Sequence, residues 1–382
     1  MIGLLEAIRN PQLAEKGRER VIHAAATIFH LSKDASAAAQ FGSEGGIALM
    51  LRLLRGSCSD SIGPVTTVIE RLAAVESNRT EIVRQGGVDD LLMVALVTAS
   101  QQAKEAAVAA LVALAAVGHG HSKEEQSASP HGHITLGRSS ATSALVKLAH
   151  EGQDDARKYA ALAICKLARS SEYASKFAAN GGIEALLAII ECGTSIAVES
   201  AVQSLTVLAA LPFVCAEASR LRAVRLLLYV ARFGSPCAKK HSMEALGKLC
   251  EANEANKQMF IYLNGVPVAV EVMHTSDGNV QSGVCLCLGG VAKDSSDSQR
   301  EVLARGGVWT VMQAAKKSMA EHPEGLAAAA WALAQFSFGC ASMTLEIERN
   351  GGVGLLIELL RRCPDYVQSE AALAGIHLCL FR

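Results

Sequence analysis

The sequence predicts an all-α protein built as a repeat solenoid, and three observations carry that prediction. A Gly-Gly-apolar signature recurs at near-constant spacing. The stretches between signatures have helical periodicity, and none alternates as a half-buried strand would. Half of the 382 residues are hydrophobic but only 4% are aromatic, so the core is built mostly from Ala, Leu, Val and Ile, whose small side chains suit closely packed helices. A chain of this length would ordinarily divide into two or more compact domains. A repeat array need not, because each repeat touches only its neighbours.

The signature reads Gly45-Gly46-Ile47, Gly86-Gly87-Val88, Gly181-Gly182-Ile183, Gly306-Gly307-Val308 and Gly351-Gly352-Val353, with Asn264-Gly265-Val266 as a near copy. Arg222-Ala223-Val224 and Ser140-Ala141-Thr142 fall in register without the glycines. The first positions are therefore 45, 86, 140, 181, 222, 264, 306 and 351, in steps of 41, 54, 41, 41, 42, 42 and 45. A fixed period in the forties denotes stacked helical repeats.

Local chemistry gives the anatomy of each repeat. A short helix precedes the signature, at 78–85, 172–180, 256–263 and 298–305. The first glycine can adopt the left-handed conformation that closes a helix. The chain then turns into a second helix, such as 183–190, and crosses a polar break, such as Glu191-Cys192-Gly193-Thr194. A longer third helix follows, at 197–211, 238–251 and 279–293. One repeat cannot bury its apolar face alone, so eight or nine must stack into a continuous core. The prediction is one right-handed superhelical array over residues 1–382, with a partial repeat at 1–33, where 4–10 reads as a second helix and 17–32 as a third. Both ends are apolar, where a solenoid normally closes with a polar cap. Either the chain is a piece of a longer protein or its ends pair with something, and the piece is the expectation.

The short helix, the Gly-Gly-Val/Ile hinge, the Leu-rich second helix and the Ala- and Leu-rich third helix together resemble the armadillo-repeat family, in the group that contains β-catenin, importin-α and the vacuolar armadillo adaptors. The likeness covers nearly the whole chain, and the hinge favours armadillo over HEAT. It implies third helices lining a concave groove, and a protein-interaction scaffold or adaptor in the cytoplasm, with the nucleus also open. The alternative it implies is the substrate-recognition region of a larger protein such as a ubiquitin ligase. In family members that grip extended peptides, a third-helix Asn bonds the ligand backbone, and in importin-α a Trp one turn earlier stacks on ligand side chains. Here that position, 26 residues after the first signature residue, holds Arg71, Lys166, Val207, Lys248, Gly290 and His377, with Ala113 and Gln335 slightly offset. The Asn ladder is absent, and the Trp occurs once, as Trp331 four residues before Gln335. Recognition of nuclear localisation signals is therefore not expected.

Basic residues take the ladder's place. Arg157, Lys158 and Lys166 lie on one third helix, and Lys239, Lys240 and Lys248 repeat the arrangement on another. Residues eight apart share a helix face, so these groups could form two basic bands that hold the carboxylates of an acidic, extended partner. β-catenin uses its groove in a similar way. The competing reading is a solvated charged face. The candidate groove residues are Arg71, Arg157, Lys158, Lys166, Lys239, Lys240, Lys248, Trp331 and Gln335.

The step of 54 marks an insertion at 118–139, rich in Gly, Ser and His, that replaces a first helix and is expected to be a mobile surface loop. Its four imidazoles, at His119, His121, His131 and His133, could bind zinc or nickel. No Cys or carboxylate spacing supports a site, so no metal is expected. The 11 cysteines form no CxxC pair. Cys165, Cys250 and Cys379 fall in apolar helical stretches and read as reduced, buried thiols. A net charge of −1 gives no bulk attraction to nucleic acid or acidic lipid. No apolar stretch reaches the ~20 residues that span a membrane, and the start lacks the features of a signal peptide. There is no phosphate loop, HExxH or GxSxG motif. His241 and Ser242 are adjacent but lack a third partner, and Trp309 and Trp331 read as packing residues. Neither an enzyme nor a cofactor is expected.

Overall fold

The computed structural model describes residues 16–56, 59–98, 100–115, 139–152, 154–168, 171–318, 323–338, 340–362 and 364–380. These residues form 24 helices and no strand. In order, α1 (Lys16–Leu31) is a third helix. The next repeat comprises α2 (Ala35–Ser43), α3 (Gly46–Gly56) and α4 (Ser59–Ala73), followed by α5 (Glu76–Arg84), α6 (Gly87–Val97) and α7 (Gln101–Ala115). The repeat with the insertion contributes α8 (Ser139–Glu151) and α9 (Asp154–Leu167). Then come α10 (Ser171–Ala179), α11 (Gly182–Cys192) and α12 (Ser195–Leu208), and α13 (Pro212–Arg220), α14 (Ala223–Phe233) and α15 (Pro236–Glu251). The last three repeats are α16 (Glu254–Tyr262), α17 (Gly265–Thr275) and α18 (Gly278–Ala292); α19 (Ser296–Ala304), α20 (Gly307–Ser318) and α21 (Pro323–Ser337); and α22 (Ala341–Arg349), α23 (Gly352–Arg362) and α24 (Asp365–Leu380). The expected second helix at 4–10 and nearly all of the insertion, histidines included, lie outside the described residues.

The helix expected over 197–211 ends at Leu208. Pro212 starts α13, and Leu211 before it is extended, because proline disfavours the helical conformation in its predecessor.

The hinge has two steric parts. Its first residue is left-handed in seven repeats: Gly45, Gly86, Gly181, Gly306 and Gly351 have φ of 75–85°, and Arg222 and Asn264 adopt 58° and 55° at the same position; the eighth, Ser140, expected in register, lies inside α8 instead. Its second residue lies against the side chain five residues earlier. A Cβ on Gly87, Gly265 or Gly307 would lie 2.7, 2.6 or 2.6 Å from Ile82, Phe260 or Val302, and Gly46, Gly182 and Gly352 face Phe41, Phe177 and Ile347 in the same way. The Arg222 repeat exchanges the sizes. Its second hinge residue is Ala223 and its first-helix residue is Ala218, both fully buried.

Contacts divide the chain into two compact blocks, Met1–Ile189 and Ile190–Arg382. In the first, the third helices α1, α4, α7 and α9 pack side by side, and in the second α12, α15, α18, α21 and α24 do the same. Second helices of successive repeats meet over shorter stretches, so within each block the third helices stand on the inside of the stack. First helices are tied by buried amides. Asn78 Nδ2 donates to Ala38 O at 3.0 Å, and Asn256 Nδ2 donates to Cys215 O and Leu249 O, each at 3.0 Å. Both asparagines sit eight residues before a signature. Exposed ion pairs such as Arg55–Asp90 at 2.7 Å and Arg232–Glu271 at 3.0 Å link second helices, each worth at most about 1 kcal/mol.

Each repeat buries the face its successor covers. At the second position after the first signature residue, Ile47, Val88, Ile183, Val224, Val266 and Val308 are all essentially inaccessible. In the last repeat Val353 at that position is 41% exposed, and Leu360 and Ile376 are 40% and 55% exposed.

Candidate partner-binding face

The third helices of the second block form the candidate surface, and glycine sets how closely they approach at its centre. A Cβ on Gly283 would lie 2.6 Å from Lys240 O, one on Gly247 would lie 2.6 Å from Leu286 O, and Gly290 faces Gly247 O as closely. Backbone therefore meets backbone where α15 and α18 cross. The glycines of α18 are buried between its neighbours, and Leu286 is part-exposed between them. On one side α15 raises Lys240, Glu244, Lys248 and Glu251. On the other α21 presents Glu324, Trp331 and Gln335. Trp331 is half-buried because its ring packs against Gly289 of α18, where a Cβ would come within 2.5 Å of Cζ3.

The lysines here are accompanied by carboxylates. Lys240 Nζ is 3.9 Å from Glu244 Oε1 and 3.6 Å from Glu324 Oε2. Glu244 Oε2 also pairs with His241 Nδ1 at 3.0 Å. Lys248 Nζ donates to Thr206 O on α12 at 3.0 Å, and Lys293 Nζ pairs with Glu251 Oε1 at 2.6 Å. Lys239 is part-exposed beside them. Ser242 takes no part: it is fully buried and donates to Leu227 O at 3.0 Å, so it points away from His241.

The sequence-predicted residues thus separate into groups. Lys239, Lys240, Lys248, Trp331 and Gln335 belong to the second block. Arg71, Arg157 and Lys158 belong to the first. The Arg71 guanidinium lies 4.4 Å above the Phe29 ring, a cation–π contact to the preceding third helix. Arg157 Nη2 donates to His150 O at 3.1 Å, and its Nε is buried without an acceptor. Lys158 is part-exposed. Lys166 lies on α9, but its side chain is outside the described residues. Arg71 and Lys248, both at the ladder position, each reach back to the preceding repeat.

Sequence reasoning passed over Glu244, Glu251 and Glu324. The first two stand four and three residues from Lys240 and Lys248 and were visible, whereas the approach of Glu324 to Lys240 depends on how the non-neighbouring helices α15 and α21 are placed. Two readings need correction. Cys379 is exposed, as are Cys192 and Cys237, because each lies on an outward helix face. Trp309 is 44% exposed on α20, 6.0 Å from His274 between ring centroids, and does not pack into the core. Other thiols are deeply held. Burial pushes Cys215 up to about 11 and Cys285 up to about 12, from an ordinary 9.0. Among the described residues no group of three His, Cys, Asp or Glu gathers as a metal site, and no helix is long and apolar enough to cross a membrane.

No family model matches the chain, and no curated protein matches it in sequence. Solved structures do match. A crystal structure described as an engineered protein covers 99% of this chain and 99% of its own, with 20% identity and a TM-score of 0.65. A second engineered protein covers 63% of this chain and 97% of its own, at 22% identity and TM-score 0.57. A designed armadillo repeat protein in complex with the peptide (KR)4 covers 62% of this chain and 99% of its own, at 16% identity and TM-score 0.55. At such identities the likeness is one of fold: this chain is an all-α, armadillo-type repeat solenoid.

Proposed function

We propose that the protein is an interaction scaffold whose third-helix face binds extended, acidic segments of partner proteins, with the repeats of residues 1–382 working as one array. The observation that carries this reading is the pair Lys240 and Lys248, both part-exposed and eight residues apart on the third helix α15. Ammonium groups repeated along a third-helix face suit the carboxylates of an extended chain. The designed armadillo protein holds a basic peptide; the lysines on this face favour the opposite charge. Arg157 and Lys158 would give the first block a basic surface of its own. The free cysteines among the described residues support a reducing, cytoplasmic setting. The test is a display library of random ten-residue segments selected on the wild-type protein and counter-selected on Lys240→Glu/Lys248→Glu. Enrichment of Asp- and Glu-rich segments that the double variant fails to bind is expected. Enrichment of basic segments, or of segments both proteins bind equally, would overturn the reading.

A further inference from the structure

We propose that Lys240 is a carboxylate-binding subsite of the third-helix face and that Glu324 occupies it in the unbound protein as a built-in competitor. This rests on the reading that the face takes acidic segments. The two residues come from helices that are not neighbours, since α18 lies between α15 and α21. They nevertheless meet at 3.6 Å. At Gly283 the backbones of α15 and α18 come together, since a Cβ there would meet the Lys240 carbonyl oxygen, and this close approach shortens the span from α15 to α21.

The pair is unequal. The Lys240 side chain is 23% exposed and held beside Glu244, whereas the Glu324 side chain is 82% exposed. The lysine is held in the helix surface, and the glutamate reaches to it from solvent. Glu324 opens the first turn of α21, where a carboxylate is stable facing the helix N-terminus alone. It can therefore leave Lys240 at small cost. A ligand carboxylate arriving along the third-helix face would take the position Glu324 Oε2 now holds, and Glu324 would swing to water. Bonds at an exposed pair are weak, so the competitor tunes affinity and does not block the site. It also sets a requirement: the segment must carry an acidic side chain where it passes Gly283.

The experiment is a double-variant cycle read by fluorescence anisotropy, using a dye-labelled decapeptide of alternating glutamate and serine at low salt. Wild type, Glu324→Gln, Lys240→Gln and the double variant are titrated. Removing the competitor should tighten binding about two- to five-fold, the range that an exposed ion pair supports. Lys240→Gln should weaken binding. In the Lys240→Gln background the Glu324→Gln gain should vanish, because the competitor then has nothing to occupy. A gain that persists without Lys240 would show only that one negative charge fewer favours an anion, and would overturn the proposal while leaving the acidic-partner reading in place. No binding by any of the four proteins, Glu324→Gln included, would overturn both.

Discussion

Arg222 holds a left-handed backbone that glycine holds in five other repeats, at φ 58° against their 75–85°. An L-residue there is strained by roughly 1–2 kcal/mol, and glycine returns part of that gain through greater freedom in the unfolded chain. Arg222→Gly should therefore stabilise the protein by about 0.5–1 kcal/mol, and Gly181→Ala should destabilise it by about 1 kcal/mol or more. Urea midpoints of the two variants check the opposite signs. The second hinge position obeys a different constraint, namely room. Gly182→Ala must push against Phe177 and should cost about 1–3 kcal/mol, whereas Ala223 is already accommodated opposite Ala218. The Gly-Gly signature was readable in the sequence. That its two glycines serve separate purposes was not, because the second answers to a side chain in the preceding helix.

Helix boundaries were legible to within about three residues, since each is set locally by the hinge, by a cap or by proline. Asp277 and Ser235, for example, accept from the backbone N–H groups of Val280 and Ala238, and both stand at the polar break the sequence announced. Packing between elements was less legible. The repeat period foretells that α18 follows α15, but not that Gly247, Gly283 and Gly290 bring the two backbones together. Nor does it foretell that a residue of α21 then reaches α15. The lysines at the ladder position were found, but their carboxylate companions were not, because a charge pattern on one helix does not reveal what a non-neighbouring helix contributes. Gly283→Ala tests the element-scale account. Its Cβ meets backbone, which cannot rotate away, so a loss of about 1–3 kcal/mol or more is expected, measured by chemical denaturation. A neutral effect would mean that α15 and α18 are not held in contact there.

Stability at the scale of the whole molecule is a sum over repeats and the faces between them. Met273 and Leu360 occupy the same register, nine residues after the first signature residue, yet Met273 is 4% exposed and Leu360 40%. Met273→Ser should cost about 2–5 kcal/mol and Leu360→Ser well under half of that, so their melting temperatures should separate clearly. Buried thiols give the molecule a pH dependence with a definite sign. Below about pH 9 Cys215 is protonated in both the folded and unfolded chain and contributes no slope. Between 9 and about 11 the unfolded thiol ionises while the folded one keeps its proton, so stability falls as pH rises through that window. The urea midpoint should drop between pH 8.5 and 10.5, and Cys215→Ala should flatten the fall.

Central to the account is that the third-helix face of the second block is where a partner lies, and the chain carries its own probes for it. Cys237 is exposed on α15, three residues before Lys240, while Cys192 is exposed at the end of the second helix α11. The most direct measurement is the rate of alkylation at each thiol, followed by mass spectrometry, with and without a saturating acidic peptide. The account predicts that the peptide slows Cys237 several-fold and leaves Cys192 unchanged. Slowing at Cys192 with Cys237 unaffected would contradict it and move the binding face to the second helices.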